Sequence, residues 1–191
     1  MPTGSLAKVT AKTAAEVCRH FEPSEPARGL LKPNHTPAQY LDALLDQKHP
    51  VDAVKFLAQA LPKREVVWWA GQCVRTLAAG SAAPAAAALK AAEAWVSDPK
   101  DENRRAALAA AETAQFGTPA GCVALAAFFS GGSLAPAGLT EVPPAENLCG
   151  HAAAGAIMLA VVSNEPENAP QKYQKCLERG VEIANGKGLW K

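Results

Sequence analysis

The sequence lacks an excess of charge of either sign. Its 191 residues include 19 Lys and Arg against 18 Asp and Glu, which leaves a formal net charge of +1. A protein that binds nucleic acid needs clustered basic residues to neutralise the phosphates. We therefore expect no nucleic-acid partner. The length suits a single domain over residues 1–191, because a chain of this size can bury a sufficient core.

The sequence also lacks a long apolar run. Its most apolar stretch, residues 152–162, lies between His151 and Ser163 and is shorter than the roughly 20 residues that span a bilayer. The first residues contain no continuous apolar stretch of the kind that a secretory signal needs. These absences predict a cytoplasmic protein without a membrane span.

Spacings typical of a disulfide framework or a metal site are missing as well. Cys18 and His20 are two residues apart, and so are Cys149 and His151. On a helix that spacing points the two side chains about 200° apart, so one metal ion cannot bind both. We expect no metal, no cofactor and five free thiols, which are Cys18, Cys73, Cys122, Cys149 and Cys176.

A catalytic cysteine is an alternative, because a nucleophile and its base need to meet only in the folded chain. Such a site would pair Cys149 with His20, His35 or His49 and would place Cys149 and His151 at the mouth of a pocket. No pattern supplies an orienting third group or an oxyanion site. A small-ligand-binding or Cys/His-dependent enzyme is therefore the second hypothesis.

No stretch has the β-branched and aromatic pattern of a strand, whereas apolar residues recur at helical spacing through most of the chain. The sequence predicts an all-α fold, a single compact irregular bundle of about eight helices, with stacked helical hairpins as the alternative. We expect a Pro-rich loop at 22–35 and loose tails at 1–10 and 185–191. Three helices are predicted to start at a capping residue followed by proline, and the capping residues are Thr36, Asp98 and Thr118.

The central helix is predicted over residues 62–79. Pro62 suits a first helical turn, and Gly80 suits a helix end. Trp69 borders the apolar arc of this helix, so we expect Trp69 to be buried. The residues of the arc are Val66, Val67, Ala70, Cys73, Val74 and Leu77.

Trp68 lies on the opposite, polar face of the central helix. Its neighbours there are Arg64, Gln72 and Arg75. Aromatic and arginine side chains together are typical of the centre of a protein interface. We interpret this face as a partner-binding surface. In the competing interpretation, the loop at 22–35 or another helix covers Trp68.

A second candidate surface is the Gly/Pro-rich loop at 130–144. It lacks the Lys-Ser/Thr pair that completes a phosphate-binding loop. Because loops on a rigid scaffold often carry binding residues, we interpret it as a flexible docking loop. The residues proposed to bind are Ser130, Gly131, Gly132, Ser133 and Leu134.

Three stretches resemble an uncharacterised, all-helical bacterial family. They read Ala-Gln-Ala-Leu-Pro-Lys-Arg-Glu-Val-Val-Trp-Trp-Ala at 58–70, Ala-Trp-Val-Ser-Asp-Pro at 94–99 and Ser-Gly-Gly-Ser-Leu-Ala-Pro at 130–136. The resemblance covers roughly residues 37–162. It implies a gene beside type VI secretion components and an accessory or adaptor role in the bacterial cytoplasm, and it assigns no catalytic residues.

Together these observations favour a non-enzymatic cytoplasmic helical adaptor that binds another protein. The binding surface would be the Trp68 face or the loop at 130–144. A structural or immunity-type protein is the third hypothesis.

Overall fold

A computed structural model of the chain describes residues 3–77, 82–136 and 138–190. Within those ranges the chain forms ten α-helices and one 3-10 turn, Pro166–Asn168, and contains no strand. The all-α prediction is confirmed. The helices are α1 (Ala14–Cys18), α2 (Glu25–Gly29), α3 (Pro37–Asp46), α4 (Pro50–Ala60), α5 (Lys63–Leu77), α6 (Ala83–Ser97), α7 (Asp101–Ala114), α8 (Pro119–Phe128), α9 (Leu148–Ser163) and α10 (Ala169–Ala184).

Helix α5 is central and contacts α6, α8, α9 and α10. Trp69 is fully buried, and its Nε1 donates a hydrogen bond to the carbonyl of Cys176 in α10 at 2.7 Å. Leu77, at the end of the predicted arc, is half-buried, and the predicted helix end at Gly80 lies outside the described residues. As the helical spacing predicts, the buried face of α5 contains Val66, Val67, Ala70, Cys73 and Val74.

Two of the three predicted capped helix starts are confirmed. At the start of α3, the Gln39 amide donates to Thr36 Oγ1 and the Thr36 amide donates to Gln39 Oε1, which together make a capping box. At the start of α8, Thr118 Oγ1 accepts from the amide of Gly121. In both cases the side chain satisfies an amide that has no partner within the helix.

The third predicted start, Asp98, is wrong. Its amide donates to the carbonyl of Ala94, so Asp98 ends α6 instead of starting α7. The backbone of Asp98 is extended, as is usual for a residue before proline, and its carboxylate pairs with Lys100 at 2.8 Å. Helix α7 begins only at Asp101.

The Pro-rich stretch at 22–35 is not wholly irregular, because it contains helix α2 with a proline in the first turn. The amide and hydroxyl of Ser24 both donate to the Asp52 carboxylate at 2.8 Å. The Tyr40 hydroxyl donates to the carbonyl of Ala27 at 2.9 Å. These bonds fasten the stretch to α3 and α4.

Residues 3–8, which the sequence suggested as part of a loose tail, are hydrogen-bonded to the end of α10 and to Asn185. The Leu6 amide donates to Asn185 Oδ1 at 3.1 Å, and Asn185 Nδ2 donates to the Thr3 carbonyl at 2.8 Å. The Lys8 amide donates to the carbonyl of Ala184 at 2.8 Å. As a result Thr3 and Leu6 are buried.

Helices α6, α7, α8 and α9 are successive neighbours, and α9 also packs on α4 and α5. Buried side chains form one cluster that reaches from α1 to α10. This packing is that of the predicted compact bundle. Among the helices described, none combines the length and the apolar character needed to cross a bilayer.

Candidate functional site

The Trp68 face is covered by residues that follow α10. Trp68 is half-buried, its Nε1 donates to the Gly188 carbonyl at 2.9 Å, and its ring meets the ring of Trp190 edge to face at 6.4 Å. Arg179 of α10 donates a second hydrogen bond to the Gly188 carbonyl at 3.0 Å. The cover thus comes from this segment and not, as the competing interpretation had it, from the Pro-rich loop.

Arg64 of α5 also contacts Trp190. Its guanidinium carbon lies 4.4 Å from the centroid of the Trp190 ring, within range of a cation–π interaction. The guanidinium also donates to the carbonyls of Val96 at 2.7 Å and Ser97 at 3.3 Å, at the end of α6. Arg64 therefore joins α5 and α6 to Trp190.

Gln72 and Arg75 lie further along α5. Arg75 is exposed and pairs with Glu93 of α6 at 2.5 Å. Gln72 lines a cavity of about 200 Å³ between α5 and α10. The predicted four-residue surface is thus divided, and its contacts with the covering segment come from Arg64 and Trp68.

The docking loop is held at its base by Arg104 of α7, a residue that sequence reasoning missed. Arg104 is buried, and its guanidinium donates to the carbonyls of Phe128 at 2.9 Å and Ser133 at 3.0 Å. Its charge is balanced by Asp101, whose Oδ1 accepts from Nη2 at 2.6 Å. Hydrogen bonds from Arg105 and Arg104 lower the pKa of the Asp101 carboxyl, so this carboxyl is ionised at neutral pH.

The loop is also closed on itself. Ser133 Oγ accepts from the amides of Ala135 at 3.1 Å and Val142 at 3.0 Å, and the Leu134 amide donates to the Val142 carbonyl at 2.8 Å. Arg105 donates twice to the Ala135 carbonyl, each time at 3.2 Å. Side-chain and backbone hydrogen bonds therefore hold the base of the loop at residues 133–135 and 142.

Leu139 and Val142 are the large apolar side chains that this loop exposes, at 64% and 49%. Sequence reasoning missed both, although two apolar residues between glycine and prolines are a usable signal. The predicted residues lie at the base of the loop instead. Gly132 has φ of +63°, and a Cβ there would come within 2.9 Å of the Arg104 guanidinium, which explains the glycine. The half-buried members of the predicted set are Ser130, Gly131, Ser133 and Leu134.

Folding brings His20 and His151 to one open groove of about 570 Å³, where Asn147 Nδ2 donates to the His20 carbonyl at 3.3 Å. Cys149, in contrast, is buried, and burial raises the pKa of its thiol to about 12. The thiolate that a nucleophile requires is therefore scarce at neutral pH. The placement of Cys149 at a pocket mouth is wrong. In the part of the chain that the structure describes, no three His, Cys, Asp or Glu side chains are grouped to hold a metal ion.

The family whose sequence model matches this chain is described as a family of unknown function (DUF6931), and the match covers residues 40–184. That range contains Trp68, Arg104 and the docking loop, while Gly188 and Trp190 lie beyond it. No curated protein matches the chain, and no solved structure does.

Proposed function

Given that the chain belongs to the family of unknown function DUF6931, we propose that it is a non-enzymatic helical adaptor that binds another protein through the tip of its docking loop. The observation that carries this proposal is the exposure of Leu139 and Val142 on a loop whose base is closed by hydrogen bonds to Ser133. Leu139 and Val142 at the tip provide apolar contact area, and the hydrogen-bonded base of the loop holds them in position.

A fixed loop binds at lower entropic cost than a flexible one, because less conformational freedom is lost when the complex forms. Burial of the exposed Leu139 and Val142 side chains contributes roughly 25 cal/mol for each Å² of apolar surface removed from water. The partner surface that suits this tip is an apolar depression with polar groups at its rim. On this chain, Arg105 at the base of the loop is half-buried and paired with Asp101 at 2.7 Å. It lies where the polar groups at the rim of the partner's depression would face it.

For the partner we propose a component of a bacterial type VI secretion system, and for the location the bacterial cytoplasm. Both proposals rest on the resemblance of residues 58–70, 94–99 and 130–136 to a family encoded beside such components. They are separate from the choice of binding surface, so each can fail without the other.

The binding surface is tested by comparing three forms of the full chain: wild type, Leu139→Ser/Val142→Ser and Val162→Ser. Val162 is a matched control, because it is an apolar residue at the end of α9 with the same exposure as Val142, 49%. Each form is immobilised and incubated with a lysate of the cells that produce the chain. Proteins retained by wild type are identified by mass spectrometry, purified and titrated calorimetrically against all three forms.

We expect wild type and Val162→Ser to bind the same protein with equal affinity. The double variant should bind it about ten-fold or more weakly, because truncated interface anchors typically cost more than 1 kcal/mol each. Equal binding by the double variant would exclude the loop tip as the site, and retention of no protein by any form would contradict the adaptor function. A retained protein unrelated to type VI secretion would contradict only the partner.

A further inference from the structure

Residues 186–190, the cover segment, show what kind of ligand the Trp68 cleft accepts. We define the cleft by Arg64 and Trp68 of α5 and Arg179 of α10. Two N–H donors, Trp68 Nε1 and Arg179 Nη2, converge on the one carbonyl of Gly188 at 2.9 and 3.0 Å. Convergent donors of this kind are a site for a peptide carbonyl.

The second element of the cleft is a slot for an aromatic ring. Trp190 lies two residues after the bound carbonyl, with the Trp68 ring edge to face on one side and the Arg64 guanidinium over its face. The hydrogen bonds from Arg64 to Val96 and Ser97 keep that guanidinium in place, because they fix it to the end of α6. A cation held over a ring face favours an electron-rich indole.

The cleft also selects glycine at the carbonyl position. Gly188 has φ of +61°, and a Cβ built there would overlap the Arg179 guanidinium. An L-residue with a side chain would therefore be strained and would displace Arg179. The pattern that the cleft accepts is Gly-x-Trp.

The cover segment is more exposed than the end of α10 that precedes it. Asn185 is tied to Thr3 and Leu6, whereas Lys187 is exposed and Trp190 is only half-buried. Gly186, at φ of +79°, ends α10: its amide donates to the Ile183 carbonyl and the Lys187 amide donates to the Glu182 carbonyl, each at 2.9 Å. Residues 186 and 187 thus stay with the helix, and residues 188–190 can leave the cleft without unfolding α10.

We propose that the Trp68 cleft binds a Gly-x-Trp segment of a partner protein, and that the cover segment occupies the cleft until that partner displaces it. This site is separate from the docking loop and does not depend on the function proposed for it. The cover lowers the apparent affinity of any external peptide, because only the open fraction of the protein can bind.

The test uses the full chain and a fluorescently labelled, end-capped peptide of sequence Gly-Lys-Gly-Leu-Trp-Lys, which is that of residues 186–191. Its affinity is measured by fluorescence anisotropy for wild type and for Trp190→Ala, which opens the cleft. Trp190→Ala/Trp68→Phe removes one N–H donor and keeps an aromatic ring. Phe116→Ala is the matched control, because Phe116 is an exposed aromatic residue outside the cleft. Circular dichroism confirms that each variant is folded.

We expect Trp190→Ala to bind the peptide about ten-fold or more tightly than wild type does, because the closed fraction no longer competes. Phe116→Ala should match wild type, and Trp190→Ala/Trp68→Phe should lose most of the gain. A peptide with alanine in place of tryptophan should not bind. The proposal is overturned if Trp190→Ala fails to bind at peptide concentrations of about 1 mM, the effective concentration of a short tethered segment. It is also overturned if Trp68→Phe has no effect.

Sedimentation of wild type and Trp190→Ala decides whether the occupant is a partner protein or a second copy of the chain. We expect wild type and Trp190→Ala to sediment as the same species. Concentration-dependent dimers of wild type that Trp190→Ala abolishes would show exchange of cover segments between copies, and would overturn the assignment to a different partner protein.

Discussion

Trp68 and Trp69 are adjacent, yet the turn of about 100° per residue in an α-helix gives them opposite surroundings. Trp69 is enclosed on all sides and hydrogen-bonded to α10, whereas Trp68 lies half-exposed beneath Trp190. The helical spacing predicted this division. What the sequence could not show is the partner of Trp68, because the bonded Gly188 is 120 residues away.

Replacing the two tryptophans separately should give unequal losses of stability. Trp69→Ala leaves a cavity in the core and removes a buried hydrogen bond, so we expect the free energy of unfolding to fall by about 3–5 kcal/mol. Trp68→Ala removes a half-exposed ring and should cost clearly less. Urea unfolding of both variants measures the difference. Equal, severe losses would mean that Trp68 is a core residue and that the cleft is not a binding site.

The thiols should differ in reactivity according to burial. Cys18 and Cys122 are half-buried, and Cys149 is among the buried cysteines. We expect a thiol reagent to modify Cys122 in the folded protein well before Cys149, because the buried thiol is both inaccessible and held protonated. Mass spectrometry of partially labelled protein gives the order, and labelling after denaturation should reach all five cysteines. Labelling of Cys149 as fast as Cys122 would contradict the structure.

At the scale of the helices, two glycines predict opposite effects of the same substitution. A Cβ on Gly180 of α10 would come within 2.6 Å of Leu57 Cδ2 and of Trp69 Cε2, whereas a Cβ on Gly155 of α9 meets nothing within 4 Å. Gly180→Ala should therefore destabilise the protein, because overpacking costs roughly 1–3 kcal/mol and exceeds the gain in helix propensity. Gly155→Ala should stabilise it by about 0.5–1 kcal/mol. Thermal melts measure both, and stabilisation by Gly180→Ala would mean that α5 and α10 are further apart.

The docking loop should loosen when its base is altered. Arg104→Lys keeps the charge but cannot reach the carbonyls of Phe128 and Ser133 together with Asp101, because lysine lacks the planar fork of arginine. We expect a loss of roughly 1–3 kcal/mol and faster hydrogen exchange at the amides of Leu134 and Val142. Hydrogen exchange with mass spectrometry measures this.

Arg28→Lys is the control for the loop-base variant, because Arg28 forms an exposed pair with Glu22 and such pairs contribute little. It should leave the exchange of the loop unchanged. Unchanged exchange in Arg104→Lys as well would contradict the role of Arg104 in holding the loop.

The helix starts show what local sequence can and cannot predict. Thr36 and Thr118 begin helices as predicted, since the capping bond joins residues only three apart. Asp98 carries the same local signal and fails, because α6 runs on to Ser97 and uses the Asp98 amide at its end. The hydrogen bonds at the base of the docking loop escaped prediction for a similar reason, because Arg104 belongs to a distant helix, α7.

At the scale of the whole molecule, the burial of cysteine thiols and of a tyrosine hydroxyl predicts a loss of stability in alkaline solution. Burial raises the pKa of Cys18 to about 11 and of Cys149 to about 12, and it also raises the pKa of Tyr40. In the unfolded chain these groups ionise near their usual values of about 8.5 for Cys and 10 for Tyr. The unfolded state therefore releases protons first, and stability falls as pH rises through the range between those values and about 12.

Urea unfolding between pH 8 and pH 11 measures this decline. Cys149→Ala should show a shallower decline than wild type, because it removes one group with a raised pKa. Stability that stays constant over this range would contradict the burial of these groups.

The all-α class of the molecule could be predicted from helical spacing. Which side chains become buried could not, because burial depends on contacts between helices that are distant in the sequence.

The junction between residues 3–8 and residues 184–185 has a consequence for the order of folding. Thr3 and Asn185 are joined although 182 positions separate them, so this contact cannot form until α10 has emerged from the ribosome. Helices α3 to α9 contact one another without α10 and can associate before it is made. Long-range contacts of this kind contribute most to contact order and slow the late steps of folding. The nascent chain therefore carries Leu6 without its native contact to Asn185 until α10 has been made, and the burial of Leu6 waits for that helix.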